Sequence, residues 1–283
     1  MSASLNSSAL RVSIVSYSET MDSLIVTVSS LIASLRRAAT DGLINKPCEI
    51  VLVDNRETQC LDLNYLLQTL KHEDNDLYSF ELIQGHGNVG YGGGHNLALD
   101  DGNKGYHLFL NPDVELENDC LSFGIKYLEV NPHVGMVAPH ATDKKNNKQH
   151  LCKSFPTVFD LFIRGFLPSS IKQFFKNRLA LYENHELDEH QPTQGISIAS
   201  GCFMLCRNKV MIAIGGFDPS FFLYFEDFDL SLRLNEISTI AYNPKMRIVH
   251  AGGGASQKGF HHKIYFVESA WTFFSKHGWR WFK

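Results

Sequence analysis

The sequence lacks the features that would place it across a membrane or outside the cell. No apolar run reaches the ~18 residues that a membrane-spanning helix needs. The first nine residues are rich in serine and have neither a basic start nor an apolar core, so we expect no signal peptide. None of the six cysteines forms a C-x-x-C pair. Scattered cysteines of this kind indicate reduced thiols in a cytoplasmic protein.

An excess of positive charge is also missing. The chain has 26 Lys and Arg against 30 Asp and Glu, a net charge of -4. This balance gives no reason to expect a nucleic acid as the main partner. The 283 residues, 44% of them hydrophobic, suffice for one large globular domain or two closely joined halves.

The first half of the chain alternates strand and helix patterns. The β-branched run from Arg11 to Tyr17 predicts a buried strand, and apolar residues at helical spacing follow it as far as Arg37. The alternation occurs four times and predicts an α/β fold with a mostly parallel central sheet and helices on both faces. Further strands are predicted at 49–54, 80–84, 106–110 and 135–138, and further helices at 61–70, 96–101 and 118–130.

Polar residues follow several of the predicted strands. Ligands of parallel sheets bind beyond the carboxyl ends of the strands, so we expect these side chains to converge on a ligand. Asp and Asn are also common in turns, and this simpler explanation holds best for Asp54 taken alone. The residues are Tyr17, Asp54, Asn55, Asn111 and Asp113.

A glycine-rich segment covers residues 85–96. Residues 85–90 match G-x-G-x-x-G, which indicates a dinucleotide-dependent oxidoreductase as one alternative. The match is weak, because it follows the third predicted strand and no acidic residue ends the next one. Glycines let a backbone approach a ligand closely, and a helix start offers N–H groups to an anion. A flexible loop is the other interpretation.

The second half contains two basic and aromatic segments. Residues 155–182 mix phenylalanines with Lys and Arg, typical either of a helix in a membrane interface or of a helical lid on the core. Residues 261–283 predict a helix whose Trp-rich basic end suits a membrane interface, core packing or a dimer contact. Surface loops are predicted at 142–149 and 183–190, and strands at 201–207, 238–242 and 247–250.

The stretch from Gly215 to Asp229 combines acids, glycines and aromatics. Gly-Gly and Asp-Pro predict a turn. Leu230, Leu232 and Leu234, with Arg233 between them, predict a helix after it. Glu226 and Asp227 would lie in the first turn of that helix, where carboxylates are favoured. A carboxylate beside apolar surface can act as a general base. The simpler interpretation is a capped helix beneath an aromatic cluster.

Taken together and in this order, the motifs resemble those of the inverting glycosyltransferases of family 2, which have the GT-A fold. The Gly-rich and Asn-Pro-Asp motifs are most similar to the rhamnosyltransferase branch, which uses dTDP-L-rhamnose. The motifs are Ile14-Val15-Ser16-Tyr17-Ser18, Val53-Asp54-Asn55, the Gly-rich run from Gly87 to Asn96, Leu110-Asn111-Pro112-Asp113, Gly201-Cys202-Phe203-Met204, Gly215-Gly216-Phe217-Asp218, Glu226-Asp227 and His250.

The resemblance implies a role for each motif. Asp227 would be the general base, with Glu226 beside it, and Asp113 and His250 would hold a divalent cation, Mg²⁺ or Mn²⁺. The chain departs from the family's D-x-D pattern at Asn111, so that a single carboxylate remains there. The residues implied to bind the nucleotide sugar are Ser16, Tyr17, Asp54, Asn88, Gly90, Gly93, Asn96, Asn111 and Asp113.

The resemblance also implies an organisation and partners. Residues 1–250 would form one catalytic domain, with a nucleotide-sugar-binding half (1–140), a helical insertion (141–195) and an acceptor half (196–250), followed by an aromatic tail (251–283). The expected partners are a nucleotide-diphosphate sugar and a glycan or polyprenyl-linked acceptor in cell-surface polysaccharide synthesis. The expected location is the cytoplasm, with contact to the inner face of the plasma membrane as an option. A UDP-galactofuranose or UDP-glucose donor and a non-catalytic binding module are the alternatives.

Overall fold

The computed structural model describes residues 8–58, 61–70, 76–100, 105–252 and 260–282, so Cys60 lies outside the described residues. The strands in this part of the chain are β1 (Leu10–Ser16), β2 (Cys48–Asp54), β3 (Tyr78–Ile83), β4 (Tyr106–Leu110), β5 (Val114–Leu116), β6 (Val134–Thr142), β7 (Lys148–Gln149), β8 (Cys152–Lys153), β9 (Thr193–Gln194), β10 (Ile198–Ala199), β11 (Phe203–Arg207) and β12 (Thr239–His250). The α-helices are α1 (Met21–Thr40), α2 (Leu63–Thr69), α3 (Gly90–Leu97), α4 (Cys120–Val130), α5 (Val158–Phe166), α6 (Ser169–Lys172), α7 (Lys176–Tyr182), α8 (Asn208–Ala213), α9 (Glu226–Asn235) and α10 (Phe260–His277).

One large mixed sheet runs through the molecule in the order β3-β2-β1-β4-β11-β6-β12-β5. Its first four strands are parallel to one another, as the alternating pattern predicts. The strand β11 runs antiparallel to both β4 and β6, whereas β12 is parallel to β6. The predicted α/β architecture is therefore confirmed, with antiparallel strands entering in the second half.

Helices cover both faces of this sheet. Ile14 belongs to the hydrophobic cluster that includes Leu24 and Val28 of α1. The next residue of the strand, Val15, belongs to a separate cluster with Ala98, which follows α3. Successive side chains of a strand point to opposite faces, so this division places α1 and α3 on opposite sides of the sheet.

The glycine-rich segment differs from the prediction. A helix was expected at 96–101, but α3 spans Gly90–Leu97 and is built largely from the glycines themselves. Glycine costs ~1 kcal/mol relative to alanine inside a helix, which is why the pattern indicates a loop. The surroundings override that preference. The Asn88 side chain accepts the Gly90 N–H at 3.0 Å, and the Asn55 amide donates to the Gly90 carbonyl at 2.8 Å.

Three other boundaries also differ. The strands expected at 238–242 and 247–250 form one strand, β12, whose register with β6 shifts between Asn243 and Arg247 and so accommodates Pro244. The C-terminal helix ends at His277 instead of Lys283, before Gly278 in a left-handed conformation (φ 95°). The expected loop at 142–149 ends in β7, which pairs with β6. Among the described residues, no helix is long and apolar enough to cross a membrane.

Candidate active site

The site is organised around the start of α9. Tyr224 and Phe225, which precede it, both adopt the left-handed conformation, with φ of 71° and 63°. Such conformations are costly for residues with side chains and concentrate at functional sites. Here they turn the chain so that Glu226 and Asp227 occupy the first turn of α9, as the sequence predicts.

Two backbone N–H groups hold the Asp227 carboxylate. One oxygen, Oδ2, accepts the Gly201 N–H at 2.9 Å, and Oδ1 accepts the N–H of Phe228 at 3.0 Å. Asp227 as a residue is partly exposed, whereas Glu226 beside it is 5% exposed. Asp227 is therefore the more accessible of the two residues.

Burial dominates the acid–base properties of this pair. It raises the pKa of Asp227 above its ordinary value, against the opposing effects of the Gly201 N–H and the Lys153 charge. Burial and the neighbouring Asp227 charge raise the pKa of Glu226 well above its ordinary value. A carboxylate with a raised pKa is a stronger base when ionised, which suits Asp227 to proton abstraction.

Lys153 lies beside this pair, although no sequence motif points to it. It sits on β8, where it pairs with Ile198, and its ammonium group is 5.4 Å from the centre of the Phe228 ring. Burial lowers the pKa of Lys153 to about 8, so the group is still mostly protonated at neutral pH. Lys153 therefore supplies a positive charge that favours the ionised form of Asp227.

A short stretch of backbone links Asp227 to the ends of the parallel strands. Gly201, which binds Asp227, is followed by Cys202, whose carbonyl accepts the Asn111 N–H at 2.9 Å. The hydroxyl of Tyr91 donates to the Gly201 carbonyl. Burial is the main cause of a strongly raised pKa at Tyr91, and the charges of Glu226, Asp227 and Asp113 raise it further. Acids from both motifs are thus gathered around one tyrosine.

Asp113 and His250 lie together at this end of the sheet. The His250 Nε2 atom is 3.5 Å from Asp113 Oδ1, because β12 pairs with β5 immediately after Asp113. Gln149 Oε1 lies 2.8 Å from His250 Nδ1, while the Gln149 amide nitrogen donates to the carbonyls of His250 and Gly252. Since Oε1 can only accept, Nδ1 carries a proton and Nε2 is the ring nitrogen that faces Asp113. A metal-binding histidine is commonly oriented in this way.

This pair fits a divalent cation. Among the described residues, Asp113 Oδ1 is buried and has no hydrogen-bond partner. Mg²⁺ and similar ions are often held by one or two protein groups together with substrate phosphates. No cluster of three His, Cys, Asp or Glu side chains capable of holding a metal occurs in the described part of the chain. Phosphate oxygens or water would therefore have to complete the coordination.

Three of the residues expected to bind the nucleotide sugar lie at the ends of β1 and β2. Ser16 is buried, whereas Tyr17 is 52% exposed and free to contact a ligand ring. Asp54 is 1% exposed, and its carboxylate accepts from Arg56 at 2.8 Å and from the Leu61 N–H at 3.1 Å. Asp54 thus shapes the loop after β2, and its contact with a nucleotide stays a prediction.

The residues expected from the glycine-rich motif serve the packing of α3. At Gly90 (φ 80°) a side chain would collide with the Phe222 carbonyl. At Gly93 an added Cβ would lie 3.3 Å from Val89, a tight contact. Both polar atoms of the Asn96 amide bind the backbone of Phe217. Their direct contact with a nucleotide also stays a prediction.

Several oxygen atoms at this end of the sheet are buried without a partner among the described residues. They are Oδ1 of Asn55, Oδ1 of Asn111, Oδ1 of Asp113 and Oε2 of Glu226. Unsatisfied buried polar atoms are rare in folded proteins and are costly. A polar ligand bound beside Asp113 could satisfy the atoms of Asn111 and Asp113.

Comparison with known proteins decides the family. The model of Glycosyl transferase family 2 matches residues 12–215, well over half of the chain. The chain belongs to glycosyltransferase family 2. The matched segment includes Asp113 and Gly201 but ends before Asp227 and His250. The family assignment favours a transferase over the dinucleotide-dependent alternative.

Curated relatives of this family 2 protein include two rhamnosyltransferases. It is 27% identical over 173 residues to "Rhamnosyltransferase WbbL" of Escherichia coli K12, covering 58% of this chain and 61% of the relative. It is 24% identical over 166 residues to "N-acetylglucosaminyl-diphospho-decaprenol L-rhamnosyltransferase" of Mycobacterium tuberculosis, covering 56% of this chain and 52% of the relative. The aligned part therefore spans only half to three-fifths of each relative's length.

Solved structures confirm the GT-A fold. The mannosyltransferase PcManGT of Pyrobaculum calidifontis, in complex with GDP-Man and Mn²⁺, superimposes with a TM-score of 0.60 at 13% identity, covering 96% of this chain and 65% of that one. GalNAc-T7 with UDP, GalNAc and Mn²⁺ gives 0.57 at 14% identity, covering 86% and 43%. At such low identity the likeness establishes the fold alone.

Proposed function

We propose that this family 2 glycosyltransferase moves L-rhamnose from dTDP-L-rhamnose to a hydroxyl of a lipid-linked glycan, with inversion at the anomeric carbon. The observation that carries the proposal is the connection from Asp227 through Gly201 and Cys202 to Asn111 and Asp113. It supports a site in which Asp227 is the base and Asp113, a short stretch of backbone away, helps to bind the diphosphate. The two curated relatives are rhamnosyltransferases, which supports rhamnose as the sugar.

The proposed reaction is a single in-line displacement. Asp227 takes the proton of the acceptor hydroxyl as its oxygen forms a bond to the anomeric carbon. The bond from that carbon to the diphosphate breaks on the opposite side, and the electron pair leaves with the diphosphate. The Gly201 and Phe228 N–H groups hold Asp227 in place during the transfer. Inversion requires a base on the face opposite the leaving group, and the proposal gives Asp227 that position.

The leaving diphosphate gathers negative charge that the site must accommodate. Asp113 and His250 would hold the cation, with the tautomer of His250 fixed by Gln149. A bound Mg²⁺ or Mn²⁺ supplies Lewis-acid stabilisation of the diphosphate. The unpartnered Asn111 oxygen is available to a ribose hydroxyl or a metal-bound water. In this proposal the enzyme acts in the cytoplasm, in the synthesis of a cell-surface polysaccharide.

A binding screen tests the donor. Isothermal titration of dTDP-L-rhamnose, UDP-glucose, UDP-galactofuranose and GDP-mannose, each with and without Mg²⁺ or Mn²⁺, should show the tightest binding for dTDP-L-rhamnose with metal. Tighter binding of a UDP- or GDP-sugar would contradict the donor assignment. Incubation with dTDP-L-rhamnose and N-acetylglucosaminyl-diphospho-polyprenol should then yield a rhamnosylated lipid of inverted anomeric configuration by NMR. Donor binding with neither transfer nor hydrolysis would identify a non-catalytic binding module instead.

A further inference from the structure

The two basic and aromatic segments of the chain form a single surface. After α10 the chain turns back along α5, where the Val158 N–H donates to the Arg280 carbonyl at 2.8 Å and the Phe159 N–H to the Trp281 carbonyl at 3.3 Å. The ring of Phe282 lies 5.4 Å from that of Phe159. We call this surface, made of residues 155–182 and 260–282, the aromatic face.

Large apolar side chains stand exposed across the aromatic face. All three tryptophans of the chain lie there and are exposed. Phe174 is 81% exposed, Phe282 is 71% exposed and Trp271 is 66% exposed. Monomeric soluble proteins rarely expose a contiguous group of this kind unless it binds a partner.

The helix α10 has an exposed apolar stripe next to its buried side. Phe273 and Phe274 are buried in the cluster that α10 shares with α5 and α9. Ile264, Val267 and Trp271, spaced three and four residues apart, extend the apolar surface of the helix out to solvent. The apolar part of α10 is therefore wider than the core covers, and the exposed stripe suits a second apolar surrounding.

The charge of the aromatic face differs in sign from that of the chain. Residues 155–182 contain four Lys and Arg against one acid, and residues 260–282 contain three against one. The chain as a whole has a net charge of -4. Ion pairs with acids involve three of these cations: Arg164, Arg178 and Lys276. The other four, Lys172, Lys176, Lys263 and Arg280, outnumber the exposed Glu268, so the exposed charge of this face is predominantly positive.

We propose that the aromatic face docks on the surface of an anionic lipid bilayer. Amphipathic helices with basic residues and exposed Trp and Phe lie in the interface of such membranes. Lys and Arg add attraction to anionic headgroups. A second copy of this chain is the weaker candidate, because a symmetric contact would set the same positive charges against each other.

The aromatic face lies next to the proposed base, so docking would bring that base close to the membrane. Its inner side packs on the residues that flank Glu226 and Asp227: Phe273 of α10 contacts Phe225 and Phe228, with ring centres 5.3 and 5.9 Å apart. A bilayer on the outer side would lie close to the base, where a lipid-linked acceptor would arrive. This last step rests on the proposed function, whereas the docking itself does not.

Vesicle co-sedimentation tests the docking with the full chain and no substrates. The protein should sediment with vesicles of phosphatidylglycerol and phosphatidylethanolamine, weakly with phosphatidylcholine alone, and less as salt rises. The pair Phe174→Ser with Phe282→Ser should lower the partition coefficient at least tenfold. The pair Lys176→Gln with Lys263→Gln should lower it several-fold and only at low salt. Both expectations follow from the exposed aromatic and basic side chains of this face.

Matched controls lie outside the aromatic face. Val130→Ser with Ile237→Ser removes side chains that are 70% and 57% exposed, and Lys144→Gln with Lys209→Gln removes two exposed charges. Neither pair should change sedimentation, and circular dichroism should show all variants folded. Failure to bind anionic vesicles, or equal loss in the controls, would overturn the proposal. A dimer in light scattering that the Phe174 and Phe282 changes dissociate would assign the face to a second copy. Because no donor or acceptor is present, failure here leaves the proposed transfer reaction standing.

Discussion

The substitution Asp227→Asn separates the role of the base from its role in the fold. It keeps the size of the side chain and removes its ability to take a proton. The two N–H donors at 2.9 and 3.0 Å can no longer both be satisfied, because an amide has one oxygen. The lost hydrogen bond costs ~1 kcal/mol. Removing a charge beside Glu226 offsets part of this, so we expect a melting temperature within a few degrees of the wild-type value.

The effect on turnover should be far larger. A positioned general base contributes about 10²–10⁴-fold to rate, or ~3–5 kcal/mol of barrier. We therefore expect kcat to fall by that factor at saturating donor and acceptor. The dissociation constant of the donor should change less than about threefold, because the proposed mechanism assigns donor binding to Asp113 and the strand ends. The assay is transfer of radiolabelled rhamnose, with donor binding measured in parallel by titration calorimetry.

A matched control strengthens the comparison. Asp22 also lies in the first turn of a helix, α1, and is exposed. Asp22→Asn should leave kcat unchanged. If Asp227→Asn keeps kcat within about tenfold of wild type while folded and donor-bound, another group takes the proton and the mechanism proposed above is wrong.

Three further substitutions test the surroundings of the base and the cation. The pKa of Glu226 is raised in the folded protein, so above the unfolded pKa the charge of Glu226 opposes folding. Glu226→Gln should therefore raise the melting temperature at about pH 8 but not at about pH 4. An equal gain at both pH values would show that the charge is not the cause. Lys153→Met removes the positive charge that lowers the pKa of Asp227, so the acid limb of the kcat/KM profile should move to higher pH, and an unmoved limb would rule out this coupling. Gln149→Leu frees the His250 tautomer and should weaken Mn²⁺ affinity about 10–100-fold in a titration with dTDP, with unchanged affinity contradicting the assigned orientation.

Sequence patterns predicted the parallel half of the sheet and the start of α9 well, because both have local signals. Runs of β-branched residues mark the buried strands, and acidic residues mark the first turn of the helix. The strand Tyr106–Leu110 has the predicted bounds. The helix of glycines was missed because its stability comes from partners distant in sequence, such as Asn55 and Phe222. No local pattern distinguishes it from a loop.

The supporting residues of the site were missed for a similar reason. Gln149 lies in a polar stretch that reads as an exposed loop, and only the pairing of β6 with β7 brings it to His250. Lys153 stands on a two-residue strand, too short to give a periodic signal. Tyr91 lies within the glycine-rich motif, which is interpreted from its glycines, so the pattern indicates no separate role for Tyr91. Motif residues that a family shares can be found from sequence, whereas the residues that orient them depend on the fold.

The helix α3 constrains how this protein can be recombined with its relatives. Asn55 holds one end of it from the β2 side, and the Tyr91 N–H binds the Phe222 carbonyl in the loop that leads to Asp227. A chimera that takes residues 1–140 from another family member and keeps this loop would pack a foreign α3 against the native loop. The two surfaces would then not be complementary. Swapping segments to change the donor preference should therefore succeed only when residues 217–222 are exchanged together with residues 1–140.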